Sequence, residues 1–356
     1  MSNKWFAILF LPLLIMPLPS WADTIMVHRI EADAAQSHVD QTNSYLRGDN
    51  PQGEVINKAT VLKLKYTLQH SGSPSAIGAY CGMGVGLFLT NQQLGTPFQA
   101  FIVQGAPIVN FSKRVSLNYE LNLGGSFGWK SYEAEINEGN HLVGSKATFY
   151  IGADVFLRIA LARHWDLNLG YAYTHFSNAN LKMPNEGINA MGGRLSLAYY
   201  FNRHENISRA SLFSAEPVPH GRHWVWDVIA FGGWKKKSLS NPKTYGVGGI
   251  SISPTYCLNS AFAVGPSIDG IYDNSVERNY SLGLQARAEL TMPVFRASAG
   301  FGRYLVGGLD CFYETLNMKV DLSRHFFLNI GYCLYNYTYT NNLMLGIGLR
   351  LGSCRR

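Results

Sequence analysis

An all-β membrane barrel of antiparallel strands is the fold class this sequence predicts, and three observations carry it. Beyond the first residues no stretch offers the ~18 uninterrupted apolar residues that a membrane-spanning helix needs. The chain is nevertheless rich in Gly, Tyr and Phe, and only 15% of it is charged. Its apolar residues also recur at every second position. A closed barrel is the common spanning structure with that signature, because closure leaves no strand edge unpaired in hydrocarbon.

The chain begins with Lys4, an apolar run from Phe6 to Leu18, and Ser20-Trp21-Ala22. A positive start, a short greasy run and a small-residue cleavage site read as a secretory signal over residues 1–22. The run is too short and too rich in Pro to span a bilayer, and no Cys at the cut suggests a lipid anchor. Residues 23–57 read as a polar arm, within which Ile25 to Ile30 is a candidate strand.

From 58 to 202 the alternation is explicit. Leu62, Leu64, Tyr66 and Leu68 oppose Lys63, Lys65 and Thr67. Val115, Leu117, Tyr119 and Leu121 oppose Ser116, Asn118, Glu120 and Asn122. Ala147, Phe149, Ile151, Ala153, Val155, Leu157, Ile159 and Leu161 form one apolar face, with Lys146, Thr148, Tyr150, Asp154 and Arg158 on the other. Side chains in a strand alternate faces, so each segment has a greasy exterior and a polar interior. Glu120, Asp154, Arg158, Asp166 and Arg194 would then meet inside. In a small barrel such residues are expected to form a filled polar plug, in a large one to line a pore.

Residues 203–222, rich in charge, Ser and Pro, read as a linker, and 223–356 as a second set of strands. There Leu282, Leu284, Ala286, Ala288 and Leu290 oppose Gln285, Arg287, Glu289 and Thr291. The two sets look duplicated. Arg163-His164-Trp165-Asp166-Leu167-Asn168-Leu169-Gly170-Tyr171 is echoed by Arg324-His325-Phe326-Phe327-Leu328-Asn329-Ile330-Gly331-Tyr332. Phe149-Tyr150 matches Phe312-Tyr313 after a two-residue deletion that keeps strand parity. In this register His175 corresponds to Asn336 and Ser177 to Thr338, so the second copy lacks that pair. A long linker after an even number of strands predicts two tandem barrels of about eight strands each, the alternative being one barrel of about 14 to 16.

The chemistry concentrates in one strand and its hairpin. His175 and Ser177 share a face with Trp165, Leu167, Leu169, Tyr171 and Tyr173, the outward wall, where Tyr171, Tyr173 and Phe176 fit an interfacial aromatic belt. A base and a nucleophile side by side on that wall aim their chemistry at the membrane. On the returning strand Asn189 shares the outward face with Met191, Leu195, Leu197, Tyr199 and Phe201. Asn178, of opposite parity, is expected to stabilise the hairpin, and turn formers alone would explain Pro184, Asn185 and Gly187.

His175-Phe176-Ser177-Asn178-Ala179-Asn180-Leu181, followed by Pro184-Asn185-Glu186-Gly187-Ile188-Asn189, resembles the lipid A 3-O-deacylase (PagL) and acyloxyacyl hydrolase family of Gram-negative outer membranes. The resemblance covers about residues 58 to 202 as one family-sized unit. Tyr119-Glu120-Leu121-Asn122, Gly128-Trp129-Lys130, Ser145-Lys146 and Asn341-Asn342-Leu343-Met344-Leu345-Gly346 look like its longer, two-part, Bacteroides-like branch. The resemblance implies an outer-membrane enzyme that cleaves an ester-linked acyl chain from lipid A with a Ser nucleophile, a His base and a Glu that orients the His. It further implies oxyanion donors near Asn180, from the backbone, and at the Asn185 side chain.

One departure stands out. Asn189 occupies the family's Glu position. An Asn carbonyl can fix the His tautomer but cannot stabilise imidazolium as a carboxylate does; in a serine protease triad the Asp-to-Asn exchange costs about 10⁴ in turnover. Glu186 is the fallback carboxylate, although parity aims it away if the strand extends that far.

The remaining His residues show no metal-ligand spacing, and neither a metal nor an organic cofactor is expected. Five Cys leave at least one unpaired, and no disulfide is assigned. The net charge of +7 would let Lys182 and Lys235 to Lys237 attract lipid phosphates, though a solvated basic run is the simpler reading. No nucleic-acid motif is present and no obligate protein partner is implied; the expected partner is lipid A or lipopolysaccharide in the outer leaflet. Two other readings stay open: a non-catalytic pore or adhesin retaining a decayed site, and a general phospholipase.

Overall fold

The computed structural model describes residues 26–70, 79–203, 211, 223–237, 239–241, 243–259, 261–291, 295–336 and 339–352, and every regular element among them is a strand. Strands β1 (Met26–Val39), β2 (Lys58–His70), β3 (Tyr80–Leu89), β4 (Gly95–Asn110), β5 (Val115–Trp129), β6 (Ala147–Ala160), β7 (Trp165–Ser177) and β8 (Ile188–Tyr200) pair antiparallel in chain order. β8 returns to pair with β1 from Arg29↔Tyr200 to Val39↔Ala190, which closes the barrel. A second closed barrel comprises β9 (Trp224–Lys236), β10 (Thr244–Cys257), β11 (Phe262–Asp273), β12 (Tyr280–Thr291), β13 (Phe295–Gly307), β14 (Phe312–Asp321), β15 (Phe326–Tyr335) and β16 (Tyr339–Leu351). The architecture is two eight-strand barrels, and the single barrel of 14 to 16 strands is excluded. The chain divides into two compact units, Met1–Asn178 with Pro184–Ser214, and Ala179–Met183 with Ala215–Arg356. The expected signal segment and most of the expected linker fall outside the described residues.

The segment read as a polar arm needs correction, because it supplies the whole of β1 and then the loop 40–57. Its polarity belongs to a lumen face. Arg29, Glu31 and Asp33 are buried, while Ile30, Ala32 and Ala34 point outward between them. The strand runs well beyond Ile30 because its outward series continues through Ala32, Ala34, Gln36 and His38, which form no greasy run.

Inside the first barrel, Arg29, Lys63, Lys65 and Arg194 meet Glu31, Asp33, Glu120 and Asp154, all buried. Lys65 Nζ lies 2.9 Å from Glu31, 2.9 Å from Asp33 and 2.7 Å from Glu120. Arg194 reaches Glu31 at 2.6 Å and Asp154 at 3.0 Å, with its guanidinium 4.4 Å from the centre of the Phe156 ring. Charges removed from water are tolerable only when paired in this way, so the lumen is a neutral plug, as expected for a small barrel. Carboxylate oxygens of Asp33, Glu120 and Asp154 cluster within 4.8 Å. Lys63, Lys65 and Arg194 already supply the countercharge that a metal would bring there.

The second barrel repeats the device with other residues. Lys319 Nζ lies 2.8 Å from Asp227 and 2.5 Å from Glu289, and Arg350 bonds both carboxylates at 2.6 Å. Lys235 departs from the solvated run expected for Lys235 to Lys237: strand alternation turns it inward, where it is buried 2.6 Å from Asp273. Cys81, Cys311 and Cys333 are free thiols.

The duplication seen in the sequence coincides with strand number. The echoed segments lead into β7 and β15, the seventh strand of each barrel, and Tyr150 and Tyr313 occupy β6 and β14. His164 Nδ1 lies 2.7 Å from the Tyr200 carbonyl, and His325 Nδ1 lies 3.1 Å from that of Arg350. Each His thus ties the turn before the seventh strand to the end of the eighth. The copies diverge at the far end: β7 runs through His175 to Ser177, whereas β15 stops at Tyr335, before Asn336.

At one end of the first barrel the connections 111–114 and 161–164 are tight turns, while at the other 40–57, 130–146 and 178–187 are long. The long loops carry their own apolar cluster, in which Tyr45, Leu46, Ile56, Leu142 and Val143 pack with Phe88, Trp129, Phe176 and Ile188. Outer-membrane barrels keep short turns on the periplasmic side and long loops outside. His175 and Ser177 lie at the end that carries the long loops.

Candidate active site

β7 alternates as its sequence requires. Trp165, Leu169 and Tyr171 are exposed on the outer wall, Asp166, Asn168, Ala172, Thr174 and Phe176 are buried inward, and His175 follows Tyr173 on the outside. Phe176 anchors the strand end from within. Its ring meets Phe88 and Trp129 edge-on, with centroids 4.9 Å away in each case, and stacks on Tyr150 at 5.5 Å. This aromatic cluster fixes the backbone that carries His175 and Ser177 on either side.

β8 pairs with β7 so that Asn189 stands directly opposite His175. Asn189 Oδ1 lies 2.7 Å from His175 Nδ1 and accepts a second hydrogen bond from the Tyr173 hydroxyl at 2.8 Å. With the amide oxygen toward the ring, Nδ1 carries the proton and Nε2 presents its lone pair. Glu186, the fallback carboxylate, is exposed; its backbone N–H donates to the His141 carbonyl at 3.2 Å, and the group touching the far ring nitrogen is Asn189.

Ser177 closes the strand and is only 3% exposed. Asn185 Nδ2 donates to its Oγ at 2.9 Å, while Asn185 Oδ1 accepts the Asn178 backbone N–H at 2.8 Å. Asn178 is buried and donates through Nδ2 to Ser145 Oγ at 3.2 Å, tying the hairpin to the 130–146 loop. Asn180 follows Ala179 in a pair of left-handed residues, φ 59° and 57°, and belongs to the short segment that groups with the second unit.

Two residues matter here beyond their sequence reading. Tyr173, assigned to an aromatic belt, holds the Asn189 carbonyl. Gly187, assigned to a turn, adopts φ +75°, and a Cβ there would lie 2.9 Å from the Phe176 carbonyl oxygen, 3.3 Å from His175 Cε1 and 3.8 Å from Ser177 Cβ. Imidazole edge and serine thus flank one bare Cα. The Gly187 N–H donates to the Leu142 carbonyl at 3.0 Å, so the long loop presses the hairpin onto both groups. Lower on the same outer wall, Ala32 and Ala34 form the floor of an apolar groove of about 900 Å³ bordered by Leu62, Leu64, Leu195 and Leu197.

Comparison with known proteins adds to the geometry. Residues 103–198 match the family described as lipid A 3-O-deacylase (PagL), and residues 224–353 match the acyloxyacyl hydrolase C-terminal domain. No curated protein matches the chain. Among solved structures, neisserial surface protein A is 11% identical, aligning over 49% of this chain and 97% of its own with a TM-score of 0.31. A mutant porin of Rh. blastica is 8% identical over 92% of this chain and 100% of its own, with a TM-score of 0.18.

Proposed function

The chain belongs to the lipid A 3-O-deacylase (PagL) and acyloxyacyl hydrolase family, in its two-part form with a distinct C-terminal domain, and from that premise we propose that it is a serine esterase of the outer membrane that hydrolyses an ester-linked acyl chain of lipid A. The observation that carries this reading is the outward hairpin: His175 with its Nδ1 held by Asn189, and Ser177 with its hydroxyl held by Asn185, both at the long-loop end. Lipid A occupies the leaflet at that level and would approach sideways along the wall.

In the proposed reaction, Ser177 Oγ attacks the acyl carbonyl as His175 Nε2 takes its proton. The C–O bond to the sugar or hydroxyacyl oxygen then breaks, and imidazolium returns the proton to that leaving oxygen. Water, activated by the same nitrogen, releases the fatty acid from Ser177. Asn185 Nδ2, already 2.9 Å from Oγ, is near enough to donate to the oxyanion that forms beside it. Acyl chains would pack against the apolar wall and the groove floored by Ala32 and Ala34. The second barrel, without the His and Ser, serves as scaffold or lipid-docking surface.

Mass spectrometry of lipid A from cells carrying the wild type or Ser177→Ala tests the proposal. The wild type should remove the mass of one acyl chain and the variant none; identical patterns with both barrels inserted would refute it. Asn189 in the family's Glu position favours a second reading, a barrel that has lost turnover, and that same result would select it. Loss of acyl chains from phospholipid, with lipid A intact, would reassign the substrate.

A further inference from the structure

A neutral Asn behind the catalytic imidazole leaves open what stabilises imidazolium while the tetrahedral intermediate persists. The groups that face His175 can be taken element by element. β6 places Ile151 opposite it, β8 places Asn189, the hairpin places Gly187 against the ring edge, and Glu186 turns to solvent. The 130–146 loop brings His141 behind Glu186, β1 adds the outward His38 opposite Lys58 of β2, and beyond β8 lies the end of β1. There the barrel seam runs Val39↔Ala190, and the next rung is a hydrogen bond from the Asp40 N–H to the Asn189 carbonyl at 3.0 Å. His175, Asn189 and Asp40 therefore form one rung across three strands.

Parity puts the Asp40 side chain on the same wall. Along β1, Ala32, Ala34, Gln36 and His38 are exposed between buried Asp33, Ala35 and Ser37, and Asp40 continues the outward series. Asp40 is half-buried, and its carboxylate has no hydrogen-bond or ion-pair partner among the described residues. On the same wall the Tyr173 hydroxyl donates to Asn189 Oδ1.

We propose that Asp40 is a positioning residue that supplies, from one strand further along the rung, the negative charge that the family takes from a Glu at the Asn189 position. The inference rests on the esterase reading. Asn189 orients the ring through Oδ1, and Asp40 lowers the energy of the protonated ring without touching it. The two functions of one carboxylate are divided between an amide and a more distant charge. Adjacent strands are about 4.8 Å apart, so ring and carboxylate are separated by roughly 10 Å. At the effective dielectric of about 20 that suits such pairs, unit charges at that distance change a rate by roughly tenfold.

The test uses Asp40→Asn, which keeps shape and removes charge, with turnover on lipid A vesicles normalised to the heat-modifiable, folded barrel. The expected result is a fall of about tenfold in kcat with KM unchanged. A nearby negative charge favours imidazolium, so without it the ring sheds its proton at lower pH and the acid limb of kcat/KM should move down. Adding Asn189→Glu to Asp40→Asn should restore the rate, since a direct carboxylate makes the distant one redundant. The proposal is overturned if Asp40→Asn matches the wild type with an unmoved acid limb, or if its loss persists after Asn189→Glu. If the wild type itself leaves lipid A untouched, the esterase reading fails and Asp40 has no such role; if only Ser177→Ala is inactive, the esterase stands and Asp40 alone is refuted.

Discussion

Replacing Gly187 by Ala adds one methyl group between the imidazole and the serine. Two costs follow from the structure. The backbone sits at φ +75°, where a Cβ costs roughly 1–2 kcal/mol. The methyl carbon would also lie 2.9 Å from the Phe176 carbonyl oxygen, closer than carbon and oxygen tolerate, so the hairpin must lift. Its escape is limited, because the Gly187 and Glu186 N–H groups are bonded to the carbonyls of Leu142 and His141. The yielding group is the His175 ring, 3.3 Å away. A displacement approaching 1 Å at a reacting group can cost about 10²-fold, whereas a barrel held by strand pairing all round should lose only the local 1–2 kcal/mol. Gly187→Ala is therefore expected to lower kcat on lipid A vesicles by roughly 10- to 100-fold while the barrel still shows its folded, heat-modifiable mobility. Gly193→Ala is the control: it lies on β8, into which the hairpin leads, with no atom within 4 Å of an added Cβ, and its rate should match the wild type. Gly187→Ala with turnover within twofold of the wild type would refute the argument.

Two further predictions concern stability. Arg194→Met removes the lumen cation that bonds both Asp154 and Glu31, and breaking such a buried network should cost about 3–5 kcal/mol, read from urea unfolding in lipid vesicles; a loss below 1 kcal/mol would show that the plug is not held by charge pairing. Phe176→Ala empties the ring cluster beneath the site and should cost a similar ~3–5 kcal/mol while depressing turnover, since β7 loses its internal anchor; unaltered unfolding would place the anchor in the loops.

Much of this molecule was legible because strand parity is a local property. The faces of β2, β5, β6, β7 and β12 follow from counting by twos, and so does the outward placement of His175 and Asn189. Where the pattern gave way, a longer-range fact intervened. β1 carries Ala32, Ala34 and Gln36 outward where a greasy face would announce a strand, and its partners β2 and β8 decide its extent. Lys235 sits in a visible basic run, yet pairing with Asp273 across the second barrel takes it out of water. Glu186 is near His175 in sequence but turned away, whereas Asp40, far off in the chain, is brought beside Asn189 by the seam. Register between the first and last strands of a barrel is written in neither strand alone. Gly187 reads as an ordinary turn former until a neighbouring ring gives its missing side chain a purpose.

The rung from Asp40 to Asn189 belongs to the pairing that converts an open sheet into a cylinder. β7 and β8 are a hairpin and can zip by themselves, but the N-terminal strand must arrive from the opposite edge. An incompletely assembled molecule, inserted with its two edges apart, would display serine and histidine without the final carboxylate and without the 40–57 loop packed into the apolar cluster around Phe176. On the proposed reading, lipid hydrolysis would then reach its full rate only as the cylinder is completed, and the rise in turnover during refolding would report closure.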